Sequence, residues 1–204
     1  MKIIDTITYF KEDLMLEMRF NILDKYVDYF VICEANYSHS GLKKELFFNI
    51  NNFEKFKKKI IYLVVEDEPK NVIFNHNNEI SILRYNSICR INHQRDFIKN
   101  SLKYFSPEDF IMHSDNDEIP NLEKIDFKSL SKNIIIFNQK LFYYKLNLFL
   151  PNVEWFGTKG CTVKNLEDFT WLRNIKNKTY KSYRLDTLFS KTKYIKTKII
   201  NSGG

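Results

Sequence analysis

The chain has 204 residues, 44% of them hydrophobic and 16% aromatic, enough to bury one sizeable core and far from the make-up of a disordered chain. Five glycines and four prolines exclude collagen-like and low-complexity character, and no uninterrupted run of about 18 apolar residues offers a membrane span. A net charge of +7 points to anionic partners, whether a membrane surface, a phosphorylated substrate or nucleic acid, or to a solvated basic face.

Residues 2–7 read as a short apolar strand with Asp5 and Thr6 near its end. The first charge at the N-terminus comes too early for a secretory leader. Cys33, Cys89 and Cys161 are odd in number and widely spaced, as free thiols of a reducing compartment are. The expected location is therefore the cytoplasm. Residues 13–26 read as a helix, because Leu14, Met18 and Ile22 fall on one stripe with Met15 beside it. Glu12 and Asp13 suit its electropositive first turn.

Tyr29-Phe30-Val31-Ile32-Cys33 is a continuous apolar run, as expected of a strand covered on both faces, and it ends in Glu34-Ala35-Asn36. Strand, helix, strand implies a parallel βαβ unit with a right-handed crossover, whose C-terminal strand ends border a nucleotide crevice. At that position Glu34 can accept hydrogen bonds from a ribose hydroxyl or a pyrimidine N–H; the alternative is a surface acid at a loop start. Residues 51–59 suggest a short basic helix and 60–65 a third buried strand, followed by the acidic cluster Glu66-Asp67-Glu68-Pro69, read as a solvated loop.

A longer helical pattern covers 79–104 through Ile80, Leu83, Ile91, Ile98 and Leu102, with an interruption expected near Asn92. Arg95 either points into the crevice, where its rigid fork of donors grips phosphate or base, or pairs with Asp96 on the surface. A fourth strand over 109–113 then runs into Ser114-Asp115-Asn116-Asp117-Glu118-Ile119-Pro120. Three carboxylates within four residues repel one another unless a cation or chain donors compensate them. Mg2+ or Mn2+ takes one or two protein oxygens and fills its other positions with water and substrate phosphates. The segment thus reads as a strand end delivering Asp115 and Asp117 to a metal–diphosphate site; the plain alternative is a solvated turn.

Beyond Pro120, residues 133–150 are aromatic and extended, reading as strands that cross the sheet edge. Residues 155–160 look like a tight loop, followed by a strand near 161–163, a helix over 166–173 and a last strand over 194–200. Tyr143 and Trp155 are candidates to stack on a sugar face, against the commoner fate of a buried ring. From Arg173 to Lys198 the chain carries nine Lys and Arg against Asp186 alone, a stretch suited to peripheral contact with an anionic membrane.

Taken in order, Ile4-Asp5-Thr6, Glu17-Met18-Arg19, the run from Val27 to Asn36, Gln94-Arg95-Asp96, Ser114 to Pro120 and Trp155 to Lys159 resemble glycosyltransferase family 17. The resemblance implies an α/β GT-A fold, a Rossmann-like mixed sheet flanked by helices, as a single domain over 1–204. Residues 1–120 would be the nucleotide-sugar half and 121–204 the acceptor half. It implies inverting transfer, most readily of GlcNAc or a related hexose, from a UDP-sugar to a saccharide or glycolipid acceptor in bacterial or viral surface glycan synthesis, aided by Mn2+ or Mg2+.

Asp5, Thr6, Glu34, Arg95, Asp115 and Asn116 would then contact the nucleotide sugar, with Asp115 and Asp117 on the metal and Tyr143 and Trp155 on the acceptor. Asp117, Glu118 and Glu154 would serve catalysis, the base being one of Glu118, Glu154, Asp168 and Asp186, with Glu154 favoured. The Gly203-Gly204 end resembles the start of a family motif, so an end cut short within the acceptor half is an expectation. The competing class is a non-catalytic basic module for nucleic acid or an anionic surface; a phosphatase with a first-strand Asp-x-Asp is disfavoured by the motif's position, and no nucleic acid is expected as partner.

Overall fold

In the computed structural model, which describes residues 1–74, 77, 79–123, 125–130, 134–144, 147–177, 190–193 and 196–204, the alternation along the first strand sets the layers. On β1 (Ile3–Tyr9), Ile3, Ile7 and Tyr9 join one hydrophobic core and Ile4 another, on opposite faces of the sheet. The first core is closed by α1 (Asp13–Leu23), whose Phe20 ring lies 4.6 Å from Phe30 and 5.1 Å from Phe56. The second is closed by α2 (Ile80–Phe97) and α4 (Phe169–Asn174), with Ile98 and Phe169 buried against Val31, Cys33 and Ile111.

β2 (Tyr29–Ala35) and β4 (Phe110–Ser114) flank β1 in parallel, and β3 (Ile60–Val65) pairs with β2. β6 (Trp155–Thr162) runs antiparallel to β4 and to β5 (Ile134–Gln139), and β7 (Thr197–Ile200) is parallel to β5. The mixed seven-stranded sheet has the order β3-β2-β1-β4-β6-β5-β7. The chain grows outward from β1 to β3, then returns to place β4 on the other side of β1. The C-terminal ends of β1 and β4 therefore part at a switch point, where an open α/β sheet leaves its crevice. A four-residue α3 (Phe127–Leu130) covers Phe110 through Phe127, the two rings 4.9 Å apart.

Three expectations are corrected. The stretch over 155–160 is a sheet strand, not a tight loop: Gly157 and Gly160 admit close neighbours, since a Cβ on Gly160 would lie 2.7 Å from Phe110 Cε1 and 2.9 Å from the Ile111 carbonyl oxygen. On α1 the buried stripe is Leu16, Arg19, Phe20 and Leu23, while Leu14 and Ile22 are exposed. The long helix runs unbroken through Asn92 to Phe97, then tightens into a 3-10 segment over Ile98–Tyr104, and it buries Asn86, Cys89, Arg90 and Gln94 while Ile80 and Leu83 face out. The basic segment Ile50–Lys59 is also 3-10 in character, with a break at Phe53.

Candidate active site

A cavity of about 440 Å3 opens at the C-terminal rim of β1 and β4. Its wall includes Thr8, Tyr9 and Glu12 after β1, Tyr37, His39 and Lys44 after β2, Gln94 and Arg95 from α2, and the turn Asp115, Asn116, Asp117 after β4. A separate cavity of about 480 Å3 lies between Asn121, Asp126, Leu130 and Lys198, and it holds none of the strand-end acids.

The acids of the turn have different fates. Asp115 gives one carboxylate oxygen to Arg95 at 3.1 Å and the other to Arg173 at 3.0 Å. Burial alone would raise its pKa, but Arg173 and Arg95 outweigh burial and hold it below the usual carboxylate range. Glu118 is buried and accepts four donors: the Asp115 amide at 3.0 Å, Trp155 Nε1 at 2.9 Å, and Arg173 Nη1 and Nη2 at 2.6 and 2.7 Å. With its oxygens so occupied, Glu118 cannot take a proton from an acceptor, and its expected role as a base is corrected to that of a strut.

Asp117 is exposed at the cavity and, among the described residues, makes no side-chain hydrogen bond to another residue. Partial burial and the nearby Glu118 and Asp115 raise its pKa above the usual range. Asn116 is buried, donates to the Glu12 carbonyl at 3.2 Å and leaves its own Oδ1 without a hydrogen-bond partner among the described residues.

The other expected contacts divide between the crevice and the interior. Arg95 lines the crevice and pairs with Asp115, not with Asp96, which accepts the Thr170 amide at 2.9 Å. Asp5 is 2% exposed and bound on both oxygens by Arg19 at 2.6 and 2.7 Å, because β1 continues four residues beyond it and leaves it below the rim. Thr6 is buried against the Met112 carbonyl and His113 Nδ1, at 2.8 and 3.1 Å. Burial lowers the His113 pKa to about 3, with Arg95 adding to the effect, so the ring is neutral. Glu34 is fully buried and accepts from Lys44 Nζ, the amides of Phe47 and Phe48, and the Tyr62 hydroxyl. Direct contact of Asp5, Thr6 or Glu34 with a nucleotide is thereby corrected: their polar atoms are spent inside the fold.

Tyr143 is exposed on a hairpin arm beyond β5. Trp155, 40% exposed at the start of β6, turns its indole N–H onto Glu118. Glu154 is exposed and accepts a long bond from Asn138 Nδ2 at 3.4 Å. Asp168 caps α4 by accepting the Trp171 amide at 2.5 Å, which removes it from the set of bases, and Asp186 lies outside the described residues. Most of the 178–195 part of the basic stretch lies outside them as well.

Arg19, Arg173 and Lys159 are the functional-looking cations that sequence reasoning missed. Lys159 is buried and caps the carbonyls of Arg173 and Ile175, at 2.5 and 2.8 Å. Burial, with Arg173 beside it, lowers its pKa to about 8. Burial would lower the Arg173 pKa, but its hydrogen bonds to the Glu118 carboxylate and the nearby negative charge more than offset that and raise it. In sequence, Arg173 is the first residue of a basic tail, and Arg19 and Lys159 stand within runs that carry the family resemblance, with no role or partner read for either.

No cluster of three or more His, Cys, Asp or Glu able to enclose a metal occurs among the described residues. The donor set still fits a hard cation that relies on substrate oxygens, because Asp117 offers one uncommitted carboxylate at the cavity and such ions need only one or two from protein. Direct ligation by Asp115, by contrast, would have to displace a guanidinium.

An α/β sheet with an acidic turn at its switch point defines a crevice-bearing enzyme scaffold. The model of "Glycosyltransferase family 17" matches residues 1–177, and the chain belongs to that family; it is a glycosyltransferase. This sets aside the non-catalytic basic module. Among solved structures, the chain is similar to HddC from Yersinia pseudotuberculosis, at 9% identity and a TM-score of 0.42 over 100% of this chain and 92% of that one. The same protein complexed with GMP-PN gives 9% identity and a TM-score of 0.41, over 99% and 91%. Comparison with curated proteins finds no match. Among the described residues no helix is long and apolar enough to cross a membrane.

Proposed function

We propose that the chain is an inverting, divalent-cation-dependent transferase of the GT-A type, moving GlcNAc or a related hexose from a UDP-sugar to a saccharide or glycolipid acceptor in surface glycan synthesis. The observation that carries this reading is Asp117: an exposed carboxylate at the switch-point cavity, without a side-chain hydrogen-bond partner among the described residues, beside an acid already neutralised by two arginines. Asp117 would hold Mn2+ or Mg2+, and Asp115 would act through Arg95 and Arg173. A cation there supplies Lewis-acid neutralisation of the charge that builds on the departing diphosphate.

Arg95 grips the diphosphate from the α2 side, exchanging its half-buried pairing with Asp115 for phosphate oxygens. Glu118, locked by four donors, fixes the Trp155 indole, and the exposed rings of Trp155 and Tyr143 would offer faces for the acceptor sugar. Of the three base candidates among the described residues, Glu154 is the one that is exposed and free of a strong partner, and it takes the proton of the acceptor hydroxyl. The basic stretch after Arg173 would bring the enzyme to an anionic inner membrane face, where a lipid-linked acceptor resides.

The test is a screen of UDP-sugars for Mn2+-dependent hydrolysis and binding by wild type and Asp117→Ala. The expected result is a loss of about a hundredfold or more in the cation-dependent rate. Equal cation-dependent rates in both proteins would remove Asp117 from the site and the reading with it.

A further inference from the structure

Arg19 has no solvent-exposed side-chain surface. Nε and Nη2 hold Asp5 at 2.6 and 2.7 Å, and Nη2 also reaches Ser114 Oγ at 2.6 Å. Nη1 donates toward three main-chain carbonyls of a single turn, those of Asp115, Asn116 and Glu118, at 3.3, 3.2 and 3.1 Å. In stability terms such an ion pair gains little, because desolvating two charges offsets most of their attraction, and an apolar pair of equal volume serves as well. An apolar pair cannot supply N–H groups to three carbonyls. Asp117 is the member of the turn from Asp115 to Glu118 whose carbonyl Nη1 leaves alone, and its side chain faces the cavity.

We propose that Arg19 is a positioning residue: from α1 it clamps the main chain of the acidic turn, so that Asp117 is directed into the crevice before any ligand binds, and Asp5 is kept as its counterion. Arg173 restrains the same turn from α4 through the side chains of Asp115 and Glu118, and Thr158 Oγ1 donates to the Glu118 carbonyl at 2.8 Å; Arg19 reaches three carbonyls of the turn at once. A turn fixed in advance spares the donor the entropy of ordering it. This role rests on the donor reading above for its purpose, though the clamp is measurable without any ligand.

The experiment compares wild type with Asp5→Leu/Arg19→Met, which replaces the pair by apolar side chains, and with Arg19→Lys, which keeps the charge opposite Asp5 but loses the fork. Amide hydrogen exchange of the free proteins is read residue by residue. Both variants are expected to exchange about tenfold faster or more at Asp115 and Glu118, since each lost bond joins a charged donor to the turn. Protection along β1 and α1 should stay unchanged, and the melting temperature of the double variant should stay within about 3 °C of wild type.

Unchanged exchange in the turn overturns the proposal. So does a rise of equal size across β1 and α1, which is the mark of a packing role. If the double variant fails to fold, Arg19→Lys decides by the same readout. UDP titrations with Mn2+ run alongside: wild type that binds while both variants bind at least about tenfold more weakly supports the clamp's purpose. Wild type that binds no UDP sinks the donor reading, and exchange in the turn still decides the role of Arg19.

Discussion

Glu118 and Glu154 sit at either side of Trp155, yet they answer to different physics. Four N–H donors converge on Glu118, so Glu118→Gln turns an amide N–H2 toward groups that are themselves donors and leaves Arg173 half-paired. Removing one member of a buried charged network costs about 3–5 kcal/mol, and the melting temperature of that variant should fall by roughly 6 °C or more. Glu154→Gln, at an exposed site with a single long contact, should leave the melting temperature within about 1 °C while abolishing the acid limb of the pH–rate profile, where a general base is protonated and inactive, if Glu154 is the base. Thermal melts and a rate profile separate the two roles. Lys159 gives a pH prediction. Its folded pKa of about 8 lies below the ordinary lysine value of 10.5, so between those values the unfolded chain binds more protons and stability rises with pH, whereas below about 8 both states are protonated and the burial cost is constant. Relative to Lys159→Met, wild type should gain up to about 1.4 kcal/mol per pH unit between pH 8 and 10, measured by urea unfolding. A difference that is flat with pH would mean that the ammonium is solvated.

Among the elements, Gly160 and α4 decide whether the site is held in place. A methyl group at Gly160 would meet the Phe110 ring and the Ile111 backbone, so Gly160→Ala should destabilise by about 1–3 kcal/mol, seen in denaturant midpoint. The cap of α4 is a milder lever: Asp168→Ala frees the Trp171 amide, costs about 1 kcal/mol and loosens the helix that carries Arg173, so UDP affinity should fall with stability. How far these elements were legible follows from the kind of signal each carries. β2 and β3 are apolar runs that meet an acidic stop, and such runs read as strands whatever the tertiary context. β6 was hidden because its glycines serve close approach, which sequence cannot tell from a turn. α1 was legible as a helix but rotated: counting apolar residues selected Leu14, Met18 and Ile22, whereas the buried stripe is completed by Arg19, a charge that belongs inside only because Asp5 waits for it. The same blindness placed Asp5 and Glu34 at a ligand. Glu34 does stand at a strand end, whereas Asp5 lies four residues short of one, and whether a strand-end acid meets solvent or a lysine depends on Lys44, Tyr62 and a loop far along the chain. The Asp-x-Asp turn was legible for the opposite reason, since crowded acids demand compensation wherever they fold.

At the scale of the whole molecule, ligand binding and folding are one equilibrium, because the crevice is assembled from β1, the segment after β2, α2 and the turn after β4, and none of these keeps its geometry when the sheet opens. Any compound that binds there stabilises the native state by RT ln(1 + [L]/Kd), about 2.7 kcal/mol at a hundredfold excess over Kd, which for a chain of this size is a rise of about 5–10 °C in melting temperature. UDP with Mn2+ should produce that rise in wild type. UDP with a chelator should produce less, because the diphosphate then meets side chains such as Arg95 without the cation. With Asp117→Ala the two conditions should coincide, since the carboxylate that couples cation to nucleotide is gone. The net charge of +7 offers a competing source of stabilisation through screened attraction to any polyanion, and salt tells the two apart. Exposed charges weaken beyond a Debye length of about 8 Å at 0.15 M, so a shift from oligonucleotide or polyphosphate should vanish with added salt, whereas a shift seated in the half-buried crevice should persist. A UDP shift that is indifferent to Mn2+ and to Asp117, and that fades with salt as a polyanion's does, would mean that the charge of the surface, not the turn after β4, is what the nucleotide meets.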